Sequence, residues 1–181
     1  MHRHLTWLTA LALAAPGFAA PAAAGPGAEG LRCRWQAPAQ VAAGEPVPLH
    51  FTISNTGGTA LWVLTWNTPF EDGGWFGPYV EVQRQGEALR YQGPMMKRGD
   101  PQRDDYLRLA PGASHSAVVD LSLPFDLSQP GRYRVQPRLR LHDVTSQAPS
   151  RPRSAHALHP LDCEALEIEV LQPRGARRAA P

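Results

Sequence analysis

Motifs that would mark this chain as an enzyme are missing. No H-E-x-x-H run occurs in its 181 residues, so the helical zinc-protease site with two histidines on one face is absent. No G-x-S-x-G occurs either, which removes the serine nucleophile elbow. Cysteine is scarce, with only two in the chain. No stretch keeps a helical period over a useful length, which argues against a helical bundle. Charge is nearly balanced, 18 basic against 16 acidic residues for a net of +2. No global field therefore favours nucleic acid or an acidic membrane. The apolar run from Leu5 to Ala15 is followed by Pro16, Gly17 and Pro21 and is too short to span a bilayer well.

What that N-terminal stretch does resemble in composition is an export signal. Met1-His2-Arg3-His4 is basic, the run after it is apolar, and the small residues up to Ala24 supply A-x-A sites. These are the parts of a secretory signal peptide. Residues 1–24 are expected to be removed, with cleavage after Ala24 in first place and after Ala20 or Ala19 in second; a retained membrane anchor is the alternative. Cys33 follows Leu31-Arg32, well past that region, so no lipoprotein signal is visible. An exported chain, periplasmic or extracellular and with no span after cleavage, is expected to pair Cys33 with Cys163 as a disulfide. Two buried free thiols are the alternative. Residues 25–172 suit one domain able to bury a real core. Residues 173–181, with Arg174, Arg177 and Arg178, suit a solvated, disordered tail.

Period-two alternation recurs along the domain. Leu31, Cys33 and Trp35 alternate with Arg32, Arg34 and Gln36; Val47, Leu49, Phe51 and Ile53 alternate with Pro48, His50, Thr52 and Ser54. Residues 59–66 are apolar on both faces, which suits a central strand. Residues 79–83 and 88–92 flank Arg84-Gln85-Gly86-Glu87 as a hairpin. Further strands are expected at 106–109, 115–123 and 165–171, and one long strand at 132–142. Residues 144–160, rich in Pro, Ser and Arg, read as an insertion. Short strands with turn signals about every 8–12 residues predict an all-β fold, an immunoglobulin-like antiparallel β-sandwich of about 7–8 strands. Within it, residues 61–83 hold Trp62, Trp66 and Trp75, expected to form an aromatic core because aromatics bury the most area per residue.

Four groups carry candidate chemistry, each beside a plainer reading. His156 and His159 with Asp162 and Cys163 could supply zinc ligands, but the spacing is loose and a solvated loop fits better. Asp104-Asp105 and Glu71-Asp72 are paired carboxylates on polar loops, where adjacent acids more often form turns. Arg132, Arg134, Arg138 and Arg140 line one face of a strand; Glu167 and Glu169 on the next strand can neutralise that row. Met95, Met96, Lys97 and Arg98 lie in the loop 93–101, and neighbouring methionines suit an adaptable contact surface or a cover for the aromatic cluster. The sequence implies no metal site, catalytic set or cofactor.

Several runs in order carry a resemblance. They are Ser54-Asn55-Thr56-Gly57, Leu64-Thr65-Trp66-Asn67-Thr68-Pro69-Phe70-Glu71, Tyr91-Gln92-Gly93-Pro94 with Lys97-Arg98-Gly99, Tyr106 with Leu109-Ala110-Pro111-Gly112, Val119-Asp120-Leu121-Ser122, Phe125-Asp126-Leu127-Ser128 and Pro130-Gly131-Arg132-Tyr133. Across about residues 45–136 the chain resembles the N-terminal, non-catalytic pro-region of secreted zinc metallopeptidases of the deuterolysin and peptidyl-Lys metalloendopeptidase family. That family's catalytic domain has no counterpart in this sequence, so the resemblance implies no peptidase activity. It implies a binding domain whose partner is a secreted metallopeptidase, acting as its inhibitor or chaperone. Loop 93–101 is then the expected contact, with Lys97 offered to a Lys-directed active site. The alternatives are that Lys97-Arg98-Gly99 only shapes a surface loop, and that the chain is an envelope-associated interaction domain with no peptidase partner.

Overall fold

The structure, a computed structural model, describes residues 28–149 and 157–173. The expected signal peptide, the tail from residue 174 and residues 150–156 of the insertion lie outside the described residues. Every long strand is built on the alternation seen in the sequence. The strands are β1 (Leu31–Gln36), β2 (Gln40–Ala42), β3 (Pro48–Asn55), β4 (Leu61–Leu64), β5 (Val80–Arg84), β6 (Glu87–Ala88), β7 (Tyr106–Leu109), β8 (Ser114–Asp120), β9 (Gly131–Pro137), β10 (Arg140–Leu141), β11 (Val144–Thr145), β12 (His159–Pro160) and β13 (Leu166–Leu171). Eight of these run four residues or more, and five run only two or three. The only helical segment among the described residues is a single 3-10 turn, Arg103–Asp105.

Two sheets make the sandwich. One has the order β1-β3-β8 and the other β2-β13-β9-β5-β6. Their facing side chains meet in one core: Leu49, Phe51 and Ile53 from β3, Val80 and Val82 from β5, Tyr133 and Val135 from β9, and Ile168 and Val170 from β13. Trp35 of β1 bridges the layers, with its ring 4.4 Å from Phe51 and 6.0 Å from Tyr79. This is the all-β, immunoglobulin-like sandwich. A smaller sheet, β11-β4-β7, joins it, with β4 in the centre as its two apolar faces require. The Cys33–Cys163 disulfide is present, with a Cα–Cα distance of 5.5 Å, and ties β1 of one sheet to the approach to β13 of the other.

Three features differ from the sequence reading. The stretch expected as one strand over 132–142 breaks after Pro137. There the Arg138 N–H bonds to the Tyr79 carbonyl at 2.9 Å, and the chain leaves β9 to pair β10 with β12. Residues 40–42, expected as loop, form β2 and run parallel to β13. A three-residue strand whose partner lies 129 positions away leaves no local period to detect. Glu167 and Glu169 do lie opposite Arg134 and Arg132 in the register, but among the described residues the arginine of that row held in an ion pair is Arg138, to Glu81 at 3.1 Å. The hairpin turn needs left-handed backbone at both central residues, and Gln85 and Gly86 supply it with φ of 53° and 86°.

Asp120 closes the end of β8. Its Oδ1 accepts bonds from Val47 N and Ser122 N, both 2.9 Å, and from Ser122 Oγ at 2.7 Å. Partial burial pushes its carboxyl up, but the Ser122 and Val47 donors outweigh that and hold it below its ordinary value. A group lowered in the folded state stabilises above its unfolded pKa, about 3.9 for Asp, and loses that contribution as pH falls through the lowered value. Asp120→Ala is therefore expected to cost about 2 kcal/mol at pH 7. That difference should be smaller at about pH 3, where the unfolded carboxyl is already mostly protonated. Urea unfolding of both proteins at the two pH values checks it; an equal cost at both would show that the charged acceptor is not responsible.

Candidate functional site

The loop after β4 folds on itself before it meets anything else. Thr68 Oγ1 donates to Thr65 O at 2.6 Å and accepts from Phe70 N at 3.2 Å. Asn67 takes φ of 54°, and its N–H bonds to Glu71 Oε2 at 3.0 Å. Glycines 73 and 74 turn the chain with φ of 87° and 71°. A Cβ on Gly74 would sit 2.7 Å from Val119 Cγ1, so the loop lies tight against β8. These turns aim Trp75 inward and leave the faces of Trp66 and Phe76 toward loop 93–101.

That second loop is held at every other residue. The Tyr91 hydroxyl, pushed up in pKa by burial against a Gly77 backbone contact that lowers it, donates to Pro94 O at 2.9 Å. The Met96 N–H bonds to Phe76 O at 3.2 Å. Arg98 forms an ion pair with Glu71 and lays its guanidinium over Trp66 and Phe76, 5.3 and 5.5 Å from the ring centroids. Residues 94, 96 and 98 are thus the anchors, and the residues between them point away. Met95 is 77% exposed, Met96 47%, and Lys97 is exposed. A cleft of about 520 Å³ runs beside the anchor, bounded by Trp66, Glu71, Phe76, Arg98, Asp104 and Tyr106.

The four residues expected at a partner contact therefore divide. Met95 and Lys97 are displayed, Met96 is partly displayed and tied through its backbone, and Arg98 faces the domain. The three tryptophans divide too. Trp75 belongs to the main core, while Trp66 packs with Leu64 and Tyr106 in a second cluster that Trp62 only flanks. Glu71, expected as a turn former, does close the turn by accepting from Asn67 N, and it is also the counter-ion of Arg98; Tyr91 is the strut under Pro94. Local sequence gives no sign of the ion pair, which joins positions 27 residues apart, whereas Tyr91 and Pro94 are three apart. Of the zinc candidates, Cys163 is in the disulfide, His159 is buried and His156 lies outside the described residues. No group of three His, Cys, Asp or Glu among the described residues is arranged to hold a metal ion.

Fold and loop together define a β-sandwich domain that displays a braced, exposed segment. No family model matches the chain. It is 30% identical over 92 residues to an extracellular protease of Aeromonas hydrophila, a match covering 51% of this chain and 26% of that protein. The chain thus spans about a quarter of the length of the curated relative it matches. Among solved structures it is similar to the CARDB domain of the PF1109 protein from Pyrococcus furiosus. The crystal form of that domain, in complex with di-metal ions, aligns at TM-score 0.35 and 12% identity over 79% of this chain and 93% of that one. The solution form aligns at 0.32 and 11% over 80% and 94%.

Proposed function

We propose that this chain is an exported, non-catalytic binding domain that engages a deuterolysin-like metallopeptidase through Met95, Met96 and Lys97 and inhibits it. The same contact would serve a chaperone if the peptidase folds against it. One observation carries the reading: Lys97 is the only lysine in the chain, and it stands on a segment braced on both sides, at Met96 through Phe76 and at Arg98 through Glu71. A Lys-directed site needs one exposed lysine, and Lys97 is exposed. Bracing that backbone in advance lowers the entropy lost on binding, and it slows cleavage by opposing the distortion that hydrolysis requires. Export is supported by the disulfide and by the extracellular nature of the matched relative.

The test is a titration of the purified chain into a deuterolysin-type peptidase while cleavage of a Lys-containing peptide is followed. Stoichiometric loss of activity is expected. Lys97→Ala should weaken it by about 100-fold, the scale of an interface hot spot. Arg98→Ala keeps the lysine but frees the segment, and should weaken it by about tenfold. Full activity with the chain in large excess would overturn direct inhibition and point to an envelope interaction domain without a peptidase partner.

A further inference from the structure

The outer edge of β8 is separate from loop 93–101, and the loop after β4 meets it at one end, where Gly74 lies against Val119 and Trp75 bonds to Asp120 O. β8 ends the order β1-β3-β8, and among the described residues no strand pairs with its far side. Asn55 N bonds to Ala113 O and Leu121 N to Val47 O, both at 2.9 Å, in the same register as Phe51 opposite Ala117. Hydrogen-bonded pairs alternate along an antiparallel ladder. The odd residues of β8 therefore bond to β3, and Ser114, Ser116, Val118 and Asp120 turn their N–H and C=O outward. The Asp120 carbonyl is already held by Trp75 Nε1 at 3.0 Å, which itself marks that side as outward. The outward groups of Ser114, Ser116 and Val118 make no backbone hydrogen bond among the described residues.

Sheet edges are ordinarily guarded by lysine, proline, a bulge or a covering segment. Residues 114–119, SHSAVV, contain no Asp, Glu, Lys, Arg or Pro. Val118 is 56% exposed and Leu123, just beyond the strand, 72%. We propose that β8 pairs antiparallel with β8 of a second copy of this chain, about a two-fold axis through Ser116. In that register Ser116 meets its own copy and Ser114 meets Val118 of the other chain. Each of the three pairs exchanges two backbone bonds, about six in all.

The register is set by what the edge leaves free. A one-residue shift of the axis would require the Asp120 carbonyl that Trp75 holds. A shift the other way loses a pair. No like charges are opposed, and a small serine sits at the axis. The result is one continuous sheet of order β1-β3-β8 followed by its mirror sequence in the second copy. The contact is at the small end of specific interfaces, so a dissociation constant of about 100 μM is expected.

Sedimentation equilibrium of the full chain up to about 1 mM tests this. A reversible monomer–dimer equilibrium is expected. Ser116→Lys sets two ammonium groups together at the axis and should weaken association at least about tenfold. Ser116→Cys places two thiols on Cα atoms about 5.5 Å apart, within disulfide reach, and should give a covalent dimer on oxidation. Gln36→Lys, on β1 at the opposite edge, should leave association unchanged. Circular dichroism confirms that each variant is folded. A monomer at every concentration overturns the proposal. So does a dimer that survives Ser116→Lys and gives no Ser116→Cys link, or one that Gln36→Lys disrupts.

Discussion

Replacing Cys33 and Cys163 together by alanine is expected to lower stability by about 4 kcal/mol, with the thermal midpoint falling by about 8–16 °C. The bridge closes a loop of 130 residues, and the chain-entropy cost of an open loop rises with the logarithm of its length. Its placement adds a local effect. β1 is an edge strand held along one side by β3 alone, yet it carries Trp35, which lies between the two layers against Phe51 and Tyr79. Without the bridge, β1 is free to fray and take that ring with it. Urea unfolding of the oxidised protein and the double variant gives the difference directly. A loss below about 1 kcal/mol would mean that the unfolded chain is already compact near these ends. The same dependence makes the fold suited to an oxidising compartment, where the bond persists.

Much of the architecture was legible because alternation is local. Leu49, Phe51 and Ile53 announce a buried face within a few residues, and the structure buries all three. The disulfide was legible from compartment and count. What was not legible depends on distant partners. β2 exists because residues 40–42 lie beside β13. The strand expected through 142 ends at Pro137 because the residues beyond it take a different partner, Leu139–Leu141 pairing with residues 159–161. At the loop, Met95 and Lys97 look no different in sequence from Met96 and Arg98. Their division into displayed and anchored comes from Phe76 O, Glu71 and the Trp66 ring, all more than 19 positions earlier. The two aromatic clusters have the same cause: Trp62 and Trp75 are close in sequence, but the turns at Asn67, Gly73 and Gly74 send the rings to different sides.

Those two clusters make a sharp contrast between two tryptophans. Trp75→Ala is expected to cost about 4 kcal/mol, and Trp62→Ala about 1 kcal/mol. Trp75 stacks on Tyr79 at 4.4 Å and 7°, meets Phe125 edge-on at 6.2 Å and 85°, and donates its indole N–H to Asp120 O at 3.0 Å. Removing the ring leaves a cavity among the rings of Tyr79, Tyr91 and Phe125, and it strips the donor that Asp120 O accepts at the end of β8. Trp62 is only half-buried, with Arg103 lying over its ring at 5.9 Å. Water can replace most of what it touches. Trp75→Phe separates the two contributions, since it keeps a stacking ring and loses the donor; about 1–2 kcal/mol is expected for it. Trp75 also fixes Phe76, whose carbonyl holds Met96. Trp75→Ala should therefore loosen loop 93–101 under conditions where the protein is still folded, seen as faster amide exchange at Met96. Equal losses for Trp62→Ala and Trp75→Ala would mean that the tryptophans form one core after all. Unchanged exchange at Met96 would mean that the loop is braced by Glu71 and Arg98 alone.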